Sequence, residues 1–224
     1  MIEILFENKD FIACIKPPSI PSQPDPSGDG DMTSLLRSYL EEKGEKGEIF
    51  VVHRLDRGVG GVMLYAKTKN ACACLSQAVS SKDSFKKEYL AVVSGAPEEK
   101  CGTYEDYIFK DSRLRKAFVG GKERGGAKLA SLDYSLLQTV RVGEKIYSLL
   151  KIHLNTGRYH QIRAQLSSRG MPICNDGKYG SREHQGDITL WSYSLSFDYS
   201  GNHFCFSKDP DTEKPFWNLF DLKH

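Results

Sequence analysis

The stretch IFVVHRLDRGVGGVMLYA, residues 49–66, holds two apolar runs on either side of a polar, glycine-rich segment. IFVV (49–52) and VMLYA (62–66) have the length of strands and fall short of a helix. The intervening HRLDRGVGG predicts a loop joining two strands, with His53, Arg54 and Asp56 at its start. Such a loop places a carboxylate at a sheet edge, where a substrate reaches it. Arg54 and Arg57 flank Asp56, and neighbouring cations favour an ionised carboxylate. Gly58, Gly60 and Gly61 permit close approach by another backbone. No GK[ST] follows and no helix opens there, so the glycines are not a phosphate-cradling P-loop. On these residues alone, Asp56 is either a reactive carboxylate or a turn residue paired with an arginine.

Upstream, ILFENKDFIACIKPP (4–18) reads as two short strands around a polar turn at 7–10. A loop rich in Pro, Ser, Asp and Gly follows, too short and too close to the N-terminus to separate domains. Met32, Leu35, Leu36, Tyr39 and Leu40 recur at helical spacing, with Gly44 as the stop. Downstream, Ala71, Leu75, Ala78 and Val79 mark a second helix, on which Cys72 and Cys74 are expected to be buried or half-buried. KKEYLAVVSG (86–95) alternates as a strand, with Lys87, Tyr89, Ala91 and Val93 on one face. Residues 108–130 lack periodicity and predict a mobile loop or irregular hairpin. SLDYSLL (131–137) and KIYSLLKIHL (145–154) read as paired strands turning at RVGE. ITLWSYSLSFDY (188–199) and NHFCFS (202–207) complete the strands. The expected fold class is α+β, a mixed, mainly antiparallel sheet with flanking helices, as one domain spanning 1–224.

TGRYHQIRAQLSSRG (156–170) is the second informative region. Thr156 is placed to cap a helix that starts near Gly157, and Gly170 to end it. Tyr159, Ile162, Arg163 and Leu166 then share one face. If that face is buried, the Arg163 guanidinium needs an anion inside the fold, for which Asp56 is the natural candidate. Otherwise Arg163 snorkels to solvent. Tyr89 is either a core aromatic or a ring presented to a flat base. His53 and His160 have no Ser or Cys nucleophile in a recognisable elbow beside them and read as structural or RNA-contacting.

The chain has 224 residues, 39% of them apolar, and carries a net charge of +2. No run approaches the roughly 20 apolar residues of a membrane span, and MIEILFENKDF lacks the basic start of a signal peptide. Residues 1–50 hold ten acids against five Lys/Arg, whereas 110–128 hold seven Lys/Arg against two acids. That local basic segment suits phosphates or is a solvated loop. The six cysteines are scattered without metal-ligand spacing, which predicts reduced thiols, no metal and a cytoplasmic setting.

Together these segments resemble the RluA family of RNA pseudouridine synthases. The resemblance is carried by VHRLDRGVGGVMLYAKT, KKEYLAVVSG and LNTGRYHQIRAQL, and extends to ILFENKDFIACIKPPSIPSQPD, MPICNDGKYG, LWSYSLSF and FSKDPDTEKPFWNLF. It implies isomerisation of a flipped-out uridine in tRNA or rRNA, with no cofactor and no obligate protein partner. Asp56 matches the catalytic aspartate, Arg54 the arginine that displaces the nucleotide, Tyr89 the tyrosine set against the base, and Arg163 the arginine paired with the aspartate. His53, Arg57, Lys87, Arg158 and His160 are expected to touch RNA. Val59 and Gly60 replace the family's usual Thr and Ser, and Met171 a frequent His. No basic RNA-binding module is expected ahead of the domain. The alternative is an inactive RNA-binding or RNA-folding protein of the same fold.

Overall fold

A computed structural model describes residues 2–45, 47–81 and 84–222. The elements run β1 (Ile4–Glu7), β2 (Phe11–Lys16), α1 (Met32–Glu42), β3 (Phe50–Val51), β4 (Gly60–Ala66) and α2 (Lys69–Ser80). There follow β5 (Phe85–Ser94), β6 (Cys101–Asp111), β7 (Lys116–Gly120), β8 (Lys128–Val142) and β9 (Lys145–Leu154). Last come α3 (Gln161–Ser168), β10 (Leu190–Tyr199) and β11 (Asn202–Ser207). Two compact units result: Met1–Lys87 with Ser192–Asp209, and Glu88–Trp191 with Pro210–His224. The class is the expected α+β with antiparallel pairing.

In the first unit β2 lies between β1 and β4, with Phe11 opposite Ala66 and Lys16 opposite Gly61. β2 and β4 are buried along their whole length, so both read as continuous apolar runs. α1 begins where the Asp31 carboxylate accepts the Thr33 N–H at 2.8 Å, and it buries Met32, Leu36 and Leu40 at spacing four. Thr68 caps α2 through the Ala71 N–H at 3.1 Å. That helix buries Ala71 and Leu75, whereas Cys74 is exposed, contrary to expectation. Cys74 falls three residues after Ala71 and one before Leu75, on the outer flank of a narrow apolar stripe. Phe11, Phe197, Phe204 and Phe206 form an aromatic cluster, with Phe85 stacked on Phe197 at 5.3 Å between centroids.

In the second unit the strand order is β5-β9-β8-β6-β7, each pair antiparallel. Residues 108–130, expected as a mobile loop or irregular hairpin, form a regular one. Tyr107 to Asp111 pair with Gly120 to Lys116, and Ile108 also pairs with Lys128 of β8. Two of the inward residues are alanines: Ala117 and Ala130, with Ile108, pack against Ala164 of α3 and Tyr179. Alanines and exposed cations carry little hydrophobic contrast, which is why the alternation was invisible along the sequence.

α3 also differs from expectation. It starts at Gln161, four residues late, and its N-cap is His160 in the left-handed conformation (φ 51°) with no side-chain cap bond. Thr156 does not cap the helix. Its Oγ1 accepts the Ser131 N–H at 2.9 Å and donates to Gln161 Oε1 at 2.7 Å, tying the turn to β8. Tyr159 lies outside the helix and 37% exposed, while all six residues from Gln161 to Leu166 are buried. Gly170 ends the helix as expected, at φ 73°.

Candidate active site

The loop between β3 and β4 sorts its side chains by burial. Val52, His53, Leu55 and Val59 point inward, Arg54 and Arg57 are exposed, and Asp56 is half-buried. Both residues flanking Asp56 are held by groups distant in sequence. The buried Ser22 hydroxyl accepts the Leu55 N–H at 3.1 Å and donates to the Leu55 carbonyl at 2.9 Å. The Lys16 ammonium, fully buried, donates to the carbonyls of Arg57 (3.0 Å), Pro17 (2.9 Å) and Ile20 (2.7 Å). The Val59 N–H closes the turn onto the Asp56 carbonyl at 2.9 Å. Val59, 2% exposed, turns its methyls into the core, so valine fills that position without leaving a hydroxyl buried.

His53 faces inward as well. Its Nε2 accepts the Leu64 N–H at 3.2 Å, which places the imidazole proton on Nδ1. Burial, helped by the Lys87 ammonium, lowers its pKa to about 3, so the ring is neutral. His53 is thereby a structural bracket between the loop and β4. Lys87 is half-buried, its ammonium 6.0 Å from the Phe85 ring centroid, and burial lowers its pKa. Arg57 turns back to the 17–31 loop, donating to the Ser19 carbonyl (3.0 Å), to Ser27 Oγ (3.1 Å) and to Asp29. Arg54 stays exposed.

In the second unit Tyr89 lies on β5, opposite Ile152 of β9 and 6% exposed. Arg163 is buried, at 8%, so it does not snorkel. An anion inside the fold meets it: Asp176, 1% exposed, accepts from Nε at 2.7 Å and from Nη2 at 2.9 Å. The guanidinium carbon stands 4.9 Å from the Tyr179 ring centroid. Tyr179 is itself fixed, its Oη accepting the Ala117 N–H at 2.8 Å and lying 2.9 Å from His160 Nδ1. Tyr159 stacks on His160 at 3.8 Å, under the Lys110 ammonium at 4.5 Å. Arg158 donates through Nε to the Leu129 carbonyl at 2.9 Å.

Four residues of these surroundings were not singled out from the sequence: Lys16, Ser22, Asp176 and Tyr179. Each lies inside a quoted motif, Lys16 and Ser22 in ILFENKDFIACIKPPSIPSQPD and Asp176 and Tyr179 in MPICNDGKYG. Nothing local distinguishes them from ordinary turn residues.

The sequence profile of the family described as RNA pseudouridylate synthase matches residues 10–168. A ribosomal large subunit pseudouridine synthase D of Borreliella burgdorferi is 34% identical over 215 residues, covering 91% of this chain and 63% of the relative. An uncharacterized RNA pseudouridine synthase of Bacillus subtilis, YjbO, is 32% identical over 202 residues, covering 88% and 67%. The solved structure of Human RNA Pseudouridylate Synthase Domain Containing 1 has a TM-score of 0.79 at 21% identity, covering 98% of this chain and 87% of that one. That likeness shows a shared fold. The chain spans less than two thirds of the Borreliella relative's length. A profile that takes in the Asp56 loop, β5 and the whole of α3 places this chain in the RNA pseudouridylate synthase family, of the RluA type that its motifs resemble.

Proposed function

We propose that the protein is an RNA pseudouridine synthase, an isomerase acting on uridines of tRNA or rRNA, with Asp56 as its catalytic carboxylate. The observation that carries this reading is the Asp56 loop. It lies within the family match, and its backbone is held on both sides of the carboxylate by Ser22 and Lys16. Catalysis requires a reactive group held in place before the substrate arrives, and such anchoring supplies that.

The reaction breaks the N1–C1′ bond, turns the uracil and joins C5 to C1′. C5 loses its hydrogen to water and N1 gains a proton, so atoms balance without a redox partner. Asp56 acts on the flipped uridine, whose extrusion costs a few kcal/mol. In this reading Tyr89 stands against the base and Arg163 pairs with the catalytic aspartate, as the resemblance of their motifs implies. Arg54 and the cations of 110–128 hold the distorted backbone through phosphate contacts. Lys87, Arg158 and His160 join them as RNA contacts. Six free thiols support a reducing, cytoplasmic setting. No helix among the described residues is long and apolar enough to cross a membrane.

The test is release of tritium from C5-labelled uridine in tRNA and rRNA transcripts, with Asp56→Asn as control. Release by the wild type and none by the variant is expected, and the responding transcript names the substrate class. Tight binding without release from any transcript would favour the inactive RNA-binding alternative, to which the Val59-Gly60 replacement points.

A further inference from the structure

Arg163 and Asp176 form a side-on fork, two charge-assisted bonds of 2.7 and 2.9 Å between groups that are both buried. The fork sets the plane of the guanidinium as well as its position. It uses Nε and Nη2, so the direction of the remaining edge is dictated by where Asp176 stands.

Asp176 stands on a rigid base. Its own N–H donates to the Ile173 carbonyl at 3.1 Å, and its carbonyl accepts from Tyr179 (2.9 Å) and Ser181 (3.1 Å). Asn175 beside it takes a positive φ of 64° and is held at both ends, donating to the Asp187 carbonyl and accepting the Gln185 N–H, each at 2.9 Å. Ile173 is bridged to Val93 of β5. The Tyr179 ring covers the guanidinium, and the Tyr179 carbonyl is fixed by Ser167 Oγ of α3 at 2.6 Å. The turn that carries the carboxylate is thus fastened to the helix that carries the arginine.

We propose that Asp176 is a positioning residue for the isomerisation, acting through Arg163 by fixing the guanidinium in the orientation that the reaction needs. The inference rests on the functional reading above, in which Arg163 serves the catalytic aspartate. Asp176 needs no contact with RNA in this role. Its loss should therefore slow turnover and leave RNA affinity alone, a split that a general weakening of the fold does not produce. Asparagine at this site keeps the shape but opposes an N–H to the guanidinium.

The experiment compares steady-state pseudouridine formation by the wild type, Asp176→Asn, Arg163→Lys and the double variant, with RNA binding measured separately. Circular dichroism confirms that each is folded. Asp176→Asn is expected to lower kcat at least tenfold with KM and RNA affinity within twofold of wild type. The double variant is expected to be no slower than Arg163→Lys alone, because a residue acting only through Arg163 has nothing further to lose. If Asp176→Asn does not fold, Asp176→Glu replaces it. Glutamate retains the charge and displaces the fork by one methylene, and the same kcat loss at constant affinity is expected.

An active wild type with a folded Asp176 variant within twofold of its kcat overturns the inference and spares the functional reading. Fully additive losses in the double variant also overturn it. A wild type inactive on every transcript overturns the functional reading, and the inference falls with it.

Discussion

Ser22 and Leu55 are joined by two hydrogen bonds through a single hydroxyl, which accepts the Leu55 N–H at 3.1 Å and donates to its carbonyl at 2.9 Å. The pair is buried and separated by 33 residues of chain. Leu55 is the last residue before Asp56, so the orientation of the proposed catalytic carboxylate is inherited from a serine in the preceding loop.

Removing that hydroxyl leaves two buried backbone groups without their partner. Ser22→Ala is expected to destabilise the protein by about 1–3 kcal/mol, read from urea unfolding. The freed loop should also lower kcat for pseudouridine formation. Unchanged stability together with unchanged kcat would show that the clamp does not hold the loop.

Gly61, the second residue of β4, takes a φ of 122° and lies against the Ser192 backbone. A Cβ there would stand 2.6 Å from the Ser192 nitrogen and 2.8 Å from its carbonyl carbon, and would press on its oxygen as well. The obstacle is backbone, which cannot rotate away. Gly61→Ala should cost more than about 3 kcal/mol, among the strongest single-residue effects. Thermal unfolding of the variant measures it, and a Tm within two degrees of wild type, at most about 1 kcal/mol, would contradict the close approach.

Stability should fall with acid in a window set by His53. Its pKa in the folded protein, about 3, lies below its ordinary 6.5, so the unfolded chain binds the extra proton between those values. The stabilising contribution of the neutral ring is therefore complete above about pH 6.5 and is lost as pH falls towards 3, with a limiting slope of about 1.4 kcal/mol per pH unit. Glu7, held near pKa 2 by Lys43, Lys67 and Tyr39 against the opposing effect of burial, adds its own loss only below its ordinary 4.5. Unfolding free energies between pH 6.5 and 5 thus lie above the Glu7 window and within that of His53. His53→Gln should flatten the slope there, and an equally steep variant would assign the slope elsewhere.

The thiols should separate by burial. Cys14 and Cys174 are buried, and the loss of solvation pushes both up to about 12. Cys74, Cys101 and Cys205 are exposed. Iodoacetamide at pH 8 should label those three first and reach Cys14 and Cys174 only after unfolding, since the thiolate is the nucleophile. Mass spectrometry of the time course decides it, and early labelling of Cys14 would contradict the fold around β2.

The legible parts of this protein were those whose signal is local. Paired apolar runs announced β1 and β2, and β3 and β4; spacing of three and four announced α1 and α2. The hairpin of β6 and β7 escaped because Ala117 is its inward residue on β7, while Phe109 and Phe118 pair on the other face, so no polar–apolar alternation shows along the chain. The start of α3 escaped because Thr156, an ordinary cap residue, was claimed by Ser131 and Gln161 instead. The buried state of Arg163 was legible from Ile162 and Leu166 on its face, and with it the need for an anion.

By itself the sequence determined the paired strands from β1 to β5 with α1 and α2, the family motifs, and which carboxylate stands in the glycine-rich loop. These depend on the period of apolar residues and on neighbours along the chain. Only the tertiary structure decided that Asp176 forks Arg163, that Ser22 and Lys16 hold the residues beside Asp56, and that His53 faces inward. Those relations join groups brought together by strand register and turn geometry, and a hydrogen bond a fraction of an ångström long or short is decided by packing that no local pattern encodes.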